Sequence, residues 1–180
     1  MYEYYKPSTL ELDIMELLRE FRCLSKEQLD QLYKNEPGLD IALGNLYTYG
    51  MLKYDRDRNI YCATRMDEIE KHQLMVWDIF LAITPPDADK LEILLNSTAG
   101  VNYDVGYPLD DKFIYLVYAD NTTRATKVAR LADSIKANHG DFKRNKIIVV
   151  LRNEEDRILI PTSDIETELY TIRSGNLCRI

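Results

Sequence analysis

Hydrophobic residues near the start of the chain recur at the spacing of an amphipathic α-helix. They share one face of a predicted helix over residues 9–22, namely Leu10, Ile14, Leu17, Leu18 and Phe21. Ser8 and Glu11 form a capping box at its start, since the serine and the glutamate can bond each other's backbone N–H groups. Ser25 and Gln28 repeat this pattern, which predicts a second, shorter helix.

A third helix and a short hairpin follow. Three leucines share one face of this helix, and Gly50 is placed to cap its C-terminal end; they are Leu39, Leu43 and Leu46. Leu52–Tyr54 and Ile60–Ala63 flank a polar tip and predict two strands. Three helices followed by such a hairpin indicate a winged helix-turn-helix domain over residues 1–65.

The second half of the chain has a different hydrophobic pattern. Helical spacing over residues 66–84 predicts a connector helix that ends at prolines. Within residues 85–180, the apolar runs Phe113–Ala119 and Ile147–Leu151 predict strands covered on both faces. A helical stripe over residues 125–135 separates them and predicts a parallel, right-handed crossover. The predicted fold class is therefore α+β: a winged helix followed by a small α/β domain with a mixed, partly parallel sheet.

Weaker patterns predict the remaining elements of the second half. Leu91–Leu95 and Val101–Val105 read as strands, and Arg157–Ile160 reads as an edge strand stopped by a proline. Ser163 and Glu166 have the spacing of a capping box, which predicts a short helix after that strand.

The charge of the chain is unevenly distributed. The formal net charge is -7, with -2 over residues 1–65 and +5 over residues 121–150. DNA affinity rests largely on cations that neutralise phosphates, so any DNA contact has to come from local positive segments. The three cysteines are widely spaced and predict free thiols in a reducing compartment. No run is long enough to cross a membrane and no signal peptide is evident, so we expect a cytoplasmic protein with no membrane partner and no cofactor.

Two segments carry a family resemblance. The first is Leu43–Thr64, through Leu46-Tyr47-Thr48-Tyr49-Gly50-Met51-Leu52 and Tyr61-Cys62-Ala63-Thr64; the second is Pro108–Ile135, through Pro108-Leu109-Asp110 and Phe113–Asp120. In these segments the chain resembles the replication-relaxation family of plasmid and mobile-element proteins. In that family a winged helix precedes a sheet domain similar to a restriction-endonuclease core. The resemblance implies a DNA-associated accessory or regulatory protein.

The endonuclease likeness also implies a metal site to be tested. Such a core holds a divalent ion between carboxylates on neighbouring strands, and the ion activates water. Asp110 or Asp111 would supply one carboxylate and Asp120 the other. However, Tyr118 stands where a second acidic residue is expected, and no lysine follows. We therefore expect a degenerate domain that is not an enzyme and holds no metal. A metal-dependent nuclease is a third hypothesis, after a DNA-associated protein and a protein-interaction adaptor.

The winged-helix prediction assigns candidate DNA contacts. The outer face of the third helix would enter the major groove, where Asn45 can pair with adenine and Thr48 can contact a phosphate or a thymine methyl. Lys53, Arg56 and Arg58 of the wing would contact phosphates of double-stranded DNA.

Two alternatives remain open from the residues alone. Arg124, Lys127 and Arg130 share one edge of a helix, where they could extend the DNA contact or simply form a solvated face. The outer face of the third helix has no cation, as Ile41 and Gly44 illustrate. That face also fits a protein-interaction adaptor in which the winged helix dimerises or docks a partner.

Overall fold

The computed structural model is a mixed α+β protein that divides into two compact units. The first unit is Met1–Leu81 and the second is Ala82–Ile180. The structure describes six ranges of the chain, which are residues 5–34, 36–63, 71–84, 94–95, 103–138 and 142–180.

Helices of the first unit begin where the capping boxes predict them. The helices are α1 (Thr9–Phe21), α2 (Lys26–Leu32), α3 (Leu39–Thr48) and most of α4 (Lys71–Ile83). The Ser8 hydroxyl accepts from the Glu11 N–H and the Ser25 hydroxyl accepts from the Gln28 N–H, so both capping boxes are confirmed. Residues 66–70 of the predicted connector helix lie outside the described residues.

A three-stranded antiparallel sheet completes the first unit. Its strands are β1 (Cys23–Ser25), β2 (Leu52–Asp55) and β3 (Ile60–Ala63), in the order β1-β3-β2. The predicted hairpin is present as β2 and β3, and β1 is an additional strand between the first two helices.

One aromatic cluster holds α1 against α4. The indole of Trp77 is fully buried and meets the ring of Phe21 edge-on, with centroids 4.2 Å apart. The side-chain amide of Gln28 on α2 donates to the Leu74 carbonyl (3.0 Å) and to the Asp78 carboxylate (2.7 Å). Because these contacts join distant parts of the sequence, α4 packs as part of the first unit.

The second unit contains a six-stranded mixed sheet. Its strands in chain order are β4 (Leu94–Leu95), β5 (Val105–Leu109), β6 (Lys112–Ala119), β7 (Asn145–Leu151), β8 (Glu166–Arg173) and β9 (Asn176–Arg179). The spatial order is β4-β5-β6-β7-β8-β9, in which β6, β7 and β8 are parallel neighbours. Helix α5 (Thr122–Asn138) connects β6 to β7, so the predicted parallel crossover is confirmed.

Four predictions for the second half need adjustment. The strand predicted at Val101–Val105 begins at Val105 and continues to Leu109, and its residues 101–102 lie outside the described part of the chain. Of Leu91–Leu95, only residues 94–95 are described, and they form β4. The edge strand predicted at Arg157–Ile160 is wrong, because a 3-10 helix covers Glu154–Leu159. Asn153 caps that turn by accepting from the Glu155 N–H.

The helix predicted after Ser163 is also wrong, because this segment leads into β8. The Ser163 hydroxyl accepts from the N–H of Ile165 instead of from a helical turn (3.2 Å). Glu166, whose side chain would complete a capping box, forms ion pairs with Lys112 of β6 and Lys146 of β7. Serine and glutamate at capping-box spacing are therefore both satisfied without a helix, the serine in a turn and the glutamate in a strand.

Apolar side chains of α5 form the core on one face of this sheet. Val128 and Leu131 of the helix belong to the same buried cluster as Val117 of β6 and Val149 of β7. The continuous apolar runs of β6 and β7 thus form neighbouring parallel strands, as the sequence predicts.

Gly106 of β5 lies beneath two aromatic rings, so alanine at this position is expected to destabilise the protein. A Cβ atom there would stand 2.9 Å from the Phe113 ring and 3.0 Å from the Tyr103 ring. We expect Gly106→Ala to lower the free energy of unfolding by roughly 1–2 kcal/mol. Urea denaturation followed by circular dichroism measures the change.

The same substitution at Gly44 is the matched control. Gly44 lies inside α3, and nothing stands within 4 Å of the Cβ position. At protein concentrations low enough to keep the chain monomeric, Gly44→Ala should therefore raise helix stability by about 0.5–1 kcal/mol. Equal effects of the two substitutions would contradict the packing described around Gly106.

Candidate functional site

Helix α3 presents a distinct inner and outer face. Its buried positions are Leu39, Ala42, Leu43 and Leu46. At 100° per residue, Ile41, Gly44 and Thr48 then fall on the outer face. The helix ends at Gly50, whose φ of +68° lets the Met51 N–H donate to the Leu46 carbonyl (2.8 Å).

Asn45, one of the two predicted base readers, is held inside the first unit. Its side-chain amide donates to Oε1 of Glu11 (2.9 Å), and Oε2 of the same carboxylate accepts from the Ser8 N–H (2.6 Å). Glu11 is only 4% exposed. One buried carboxylate therefore caps α1 and also fixes α3 against it.

The surroundings of Glu11 keep its carboxylate ionised. The Ser8 N–H and then the Tyr5 hydroxyl lower the pKa of Glu11 to about 2, whereas burial acts in the opposite direction. Burial and then the nearby Glu11 charge raise the pKa of Tyr5 to about 12. The tyrosine stays a neutral phenol, so the carboxylate is the single charge of this cluster of Tyr5, Ser8, Glu11 and Asn45.

Thr48, the second predicted base reader, bonds its own helix. Its hydroxyl donates to the Gly44 carbonyl at 2.8 Å, one turn earlier. Both polar side chains that the sequence assigns to base contacts thus have partners within the protein.

Exposed hydrophobic side chains are concentrated around α3. Among the described residues, seven large hydrophobic side chains are exposed, and four of these lie between positions 41 and 51: Ile41, Tyr47, Tyr49 and Met51. Ile41 is 70% exposed, at the centre of the outer face. We name this set, together with Gly44, the α3 surface. Exposed apolar side chains are ordinary when scattered singly, whereas these four lie within eleven residues of the sequence.

Aromatic contacts hold both flanks of the α3 surface. On one flank Tyr49 stacks on Tyr5, with ring centroids 3.8 Å apart. On the other flank Tyr47 meets Tyr54 of the hairpin edge-on at 6.3 Å, and Tyr54 stacks on Tyr61 at 4.5 Å. Because the exposed tyrosines rest on other rings, their orientations are fixed before any partner binds.

Charges beside the α3 surface are paired within the first unit. Lys26 forms ion pairs with Asp30 and Asp40, the latter at 2.9 Å. Burial acts to lower the pKa of Lys26, but the two carboxylates outweigh it and raise that pKa. The outer positions Ile41, Gly44 and Thr48 themselves carry no charge.

The hairpin that carries Lys53, Arg56 and Arg58 is firmly held. Oδ1 of Asp55 accepts from the N–H groups of Asp57 and Arg58, both at 3.1 Å, and closes the tip. Asn59 accepts from the Tyr54 hydroxyl (2.8 Å) and donates to Glu27 of α2 (3.0 Å). The tip is therefore tied to the body of the unit.

Of the three hairpin cations that the sequence predicts to contact phosphates, Arg56 is the most available for binding. Lys53, Arg56 and Arg58 are all exposed. Arg58 pairs with Asp55 at 3.8 Å, whereas no described residue forms an ion pair with Arg56.

The cations predicted to extend a DNA contact have mixed roles in the second unit. Arg124 bonds Asp104 at 2.7 Å and lies 3.8 Å from Asp120, while Asp104 also accepts from the Tyr118 N–H at 2.7 Å. Lys127 is half-buried and Arg130 is exposed. Arg124 therefore joins α5 to the sheet and is not presented freely to solvent.

Lys146, another cation of this positive segment, belongs to a network of ion pairs across the sheet. It pairs with Glu166 (3.2 Å) and Glu168 (3.1 Å) of β8, and these bind Lys112 and Arg179 in turn. Burial acts to lower the pKa of Lys146, but its two glutamates outweigh burial and raise it.

The carboxylates of the nuclease hypothesis do not come together. Asp110 and Asp111 lie in the turn between β5 and β6, where Asp110 has φ +54°, and Asp120 follows the opposite end of β6. Eight strand residues separate them, which is roughly 25–30 Å. Within the described ranges, no group of three or more His, Cys, Asp or Glu side chains could hold a metal.

No protein-family model, curated protein or solved structure matches this chain. No helix in the described part of the chain is both long enough and apolar enough to span a membrane.

Sequence reasoning identified Ile41 and Gly44 as outer residues, but it missed the role of Glu11. The capping pattern gave Glu11 a local partner in Ser8. Its second partner, Asn45, depends on the approach of α1 to α3, for which the sequence carries no local signal.

Proposed function

We propose that the first unit is a winged helix that acts as a protein-interaction module, in which the α3 surface binds the same surface of a second copy. Its elements follow the order helix, strand, two helices and a hairpin, with β1 beside β3. This arrangement and the exposure of Ile41 support the proposal.

Hydrogen bonding favours a protein partner over DNA at this surface. Asn45 and Thr48 already donate to Glu11 and Gly44. Groups satisfied in this way can be covered by another protein at little cost, because no polar atom loses its partner. Base reading by Asn45 would instead require it to leave a buried carboxylate.

Electrostatics favour association of two copies through the α3 surface, because its outer positions are uncharged. Each chain carries a formal charge of -7, so two copies repel each other wherever their charged surfaces meet. The outer positions of α3 carry no charge, and its neighbouring Asp40 is paired with Lys26. The α3 surface is thus a place where two acidic chains can meet without burying like charges.

A large and a missing side chain on α3 support a self-complementary contact. Ile41 projects from the helix, and Gly44, one turn later on the same face, leaves a gap with nothing within 4 Å of its Cβ position. If two α3 helices pack antiparallel about a two-fold axis between these positions, each isoleucine fills the gap at the other helix's glycine. Glycine inside a helix costs about 1 kcal/mol relative to alanine, and close helix approach would compensate for that cost.

Sedimentation velocity over a range of protein concentrations tests the proposal. The wild-type chain should form a dimer, and Ile41→Asp should weaken it at least about ten-fold because the interface would bury an unpaired carboxylate. Ile158→Asp is the matched control, since Ile158 is 83% exposed in the second unit. A wild-type chain that stays monomeric, or an equal loss in both variants, would exclude the proposed interface.

A second candidate function is DNA contact through the wing. The exposed Arg56 on a firmly held hairpin supports it, with Lys53 and Arg58 beside it, as does the family resemblance. Anisotropy of a labelled duplex at low and moderate salt, with all three cations changed to glutamate, tests this function. Salt-sensitive binding that disappears in the triple variant would favour the DNA-contact function. If no binding is seen at low salt, the protein-interaction function is the one that remains.

A further inference from the structure

Two of the three cysteines lie directly opposite each other in the small sheet of the first unit. Cys23 of β1 and Cys62 of β3 are register partners in an antiparallel pair. They are far apart in sequence and adjacent in space, which the spacing of the cysteines alone does not reveal.

The hydrogen bonds on either side define the type of this pair. The Ala63 N–H donates to the Arg22 carbonyl, and the Lys26 N–H donates to the Asn59 carbonyl, each at 2.9 Å. Hydrogen-bonded and non-hydrogen-bonded pairs alternate along an antiparallel ladder. Cys23 and Cys62 are therefore a non-hydrogen-bonded pair, with Cα atoms about 4.5 Å apart and side chains on the same face.

The side chains of this pair are in contact. Both thiols are buried, and they form a small cluster with Ile60 against which Leu74 of α4 packs. Contact with the Cys23 thiol, and then burial, raise the pKa of the Cys62 thiol.

We infer that Cys23 and Cys62 are a modification site that forms a reversible intramolecular disulfide. A Cα separation near 4.5 Å lies at the short end of the roughly 4.4–6.8 Å range that disulfides span. The finished bond therefore fits between the paired strands, and a separation near the short limit favours a bond that small thiols can reduce.

Thiol–disulfide exchange with a low-molecular-weight disulfide gives a balanced reaction. The thiolate of one cysteine attacks the small disulfide, forms a mixed disulfide and releases one small thiolate. The second cysteine loses its proton and attacks the protein sulfur of that mixed disulfide, which releases a second small thiolate. The protein loses two electrons and two protons, and the small disulfide is reduced to two thiols.

Burial and the raised pKa determine the rate of this exchange. Few thiolates form while β1 is paired, so the reaction requires β1 to open and accelerates as the pH rises. The new bond would close a loop that contains α2, α3 and β2, and would fix β1 to the hairpin. Oxidation would thus stabilise the first unit by restricting its unfolded chain.

The experiment uses the full chain with Cys178→Ala, which removes the third thiol and prevents links between molecules through it. The protein is equilibrated at mildly alkaline pH with mixtures of reduced and oxidised glutathione and is then alkylated. Intact mass and peptide mapping count the free thiols, and thermal melts are recorded before and after reduction. Cys62→Ser in the same background is the matched control.

We expect a product with no disulfide between molecules that resists alkylation at both cysteines, melts at a higher temperature, and returns to the original melting temperature after reduction. The Cys62→Ser control should show neither protection nor a shift. Full alkylation of both thiols at every glutathione ratio would overturn the inference. A glutathione adduct without the internal bond, or a disulfide that forms only in urea and prevents refolding, would overturn it as well.

Discussion

Replacement of Glu11 by alanine is expected to lower the free energy of unfolding by about 3 kcal/mol. The substitution removes a buried carboxylate that accepts from the Ser8 N–H and the Asn45 amide. Both donors would then lack a partner at the junction of α1 and α3. Chemical denaturation at neutral pH measures the loss.

Glu16→Ala is the matched control, because Glu16 lies on the same helix with a side chain that is 73% exposed. Its surface pair with Arg19, at 3.9 Å, should change stability by less than about 0.5 kcal/mol. A similar loss in both variants would show that helix propensity, and not the buried carboxylate, governs the effect.

The same carboxylate predicts how stability responds to acid. The pKa of Glu11 is lowered from 4.5 to about 2 on folding, so its contribution is complete above the unfolded pKa. That contribution, on the order of 2 kcal/mol after allowance for solvent screening, is lost as the pH falls from about 4.5 to about 2. Glu11→Gln should flatten the stability profile in this window, and an unchanged profile would contradict the assignment.

Replacement of Arg124 by methionine is expected to destabilise the second unit by about 2–3 kcal/mol. Asp104, which is largely buried, would lose the guanidinium that compensates its charge, although the Tyr118 N–H would remain. The expected loss in the free energy of unfolding is smaller than for a fully buried ion pair, because Arg124 is partly exposed. Thermal and urea unfolding both report it.

Lys127→Met on the same helix is the comparison for Arg124. No described residue forms an ion pair with Lys127, so we expect a change within about 0.5 kcal/mol. If Arg124→Met left stability unchanged but weakened duplex binding, its assignment to the α5–sheet junction would be wrong and the DNA contact predicted from the sequence would gain support.

The parts of the fold that follow from local chemistry were predictable. Two capping boxes located α1 and α2, and the apolar runs located β6 and β7. The failure at Ser163 has a physical cause, because serine and glutamate at this spacing satisfy either a helix start or a turn leading into a strand. The better signal was the content of β-branched and aromatic residues in β8, since Thr167, Tyr170 and Thr171 are of types that favour strands.

The candidate site was less predictable because it depends on tertiary contacts, which decide the hydrogen-bond partner of each polar side chain. Asn45 is a plausible base reader in the sequence, and only the approach of α1 makes it a partner of Glu11. Cys23 and Cys62 likewise have no informative spacing until β1 pairs with β3. Exposure of Ile41 is visible in the helical pattern, but the aromatic supports on either side of it are tertiary contacts.

Strand β7 has a consequence for the chain while it is being synthesised. Residues 147–151 are an uncharged run of isoleucine, valine and leucine, and β8 covers one edge of this strand only after a later segment has been made. Such an edge can pair with other nascent chains and begin aggregation. Lys146 and Arg152 flank the run, and charges in these positions oppose that pairing. The lysine that joins two glutamates in the finished sheet therefore also places a charge against such pairing before β8 is in place.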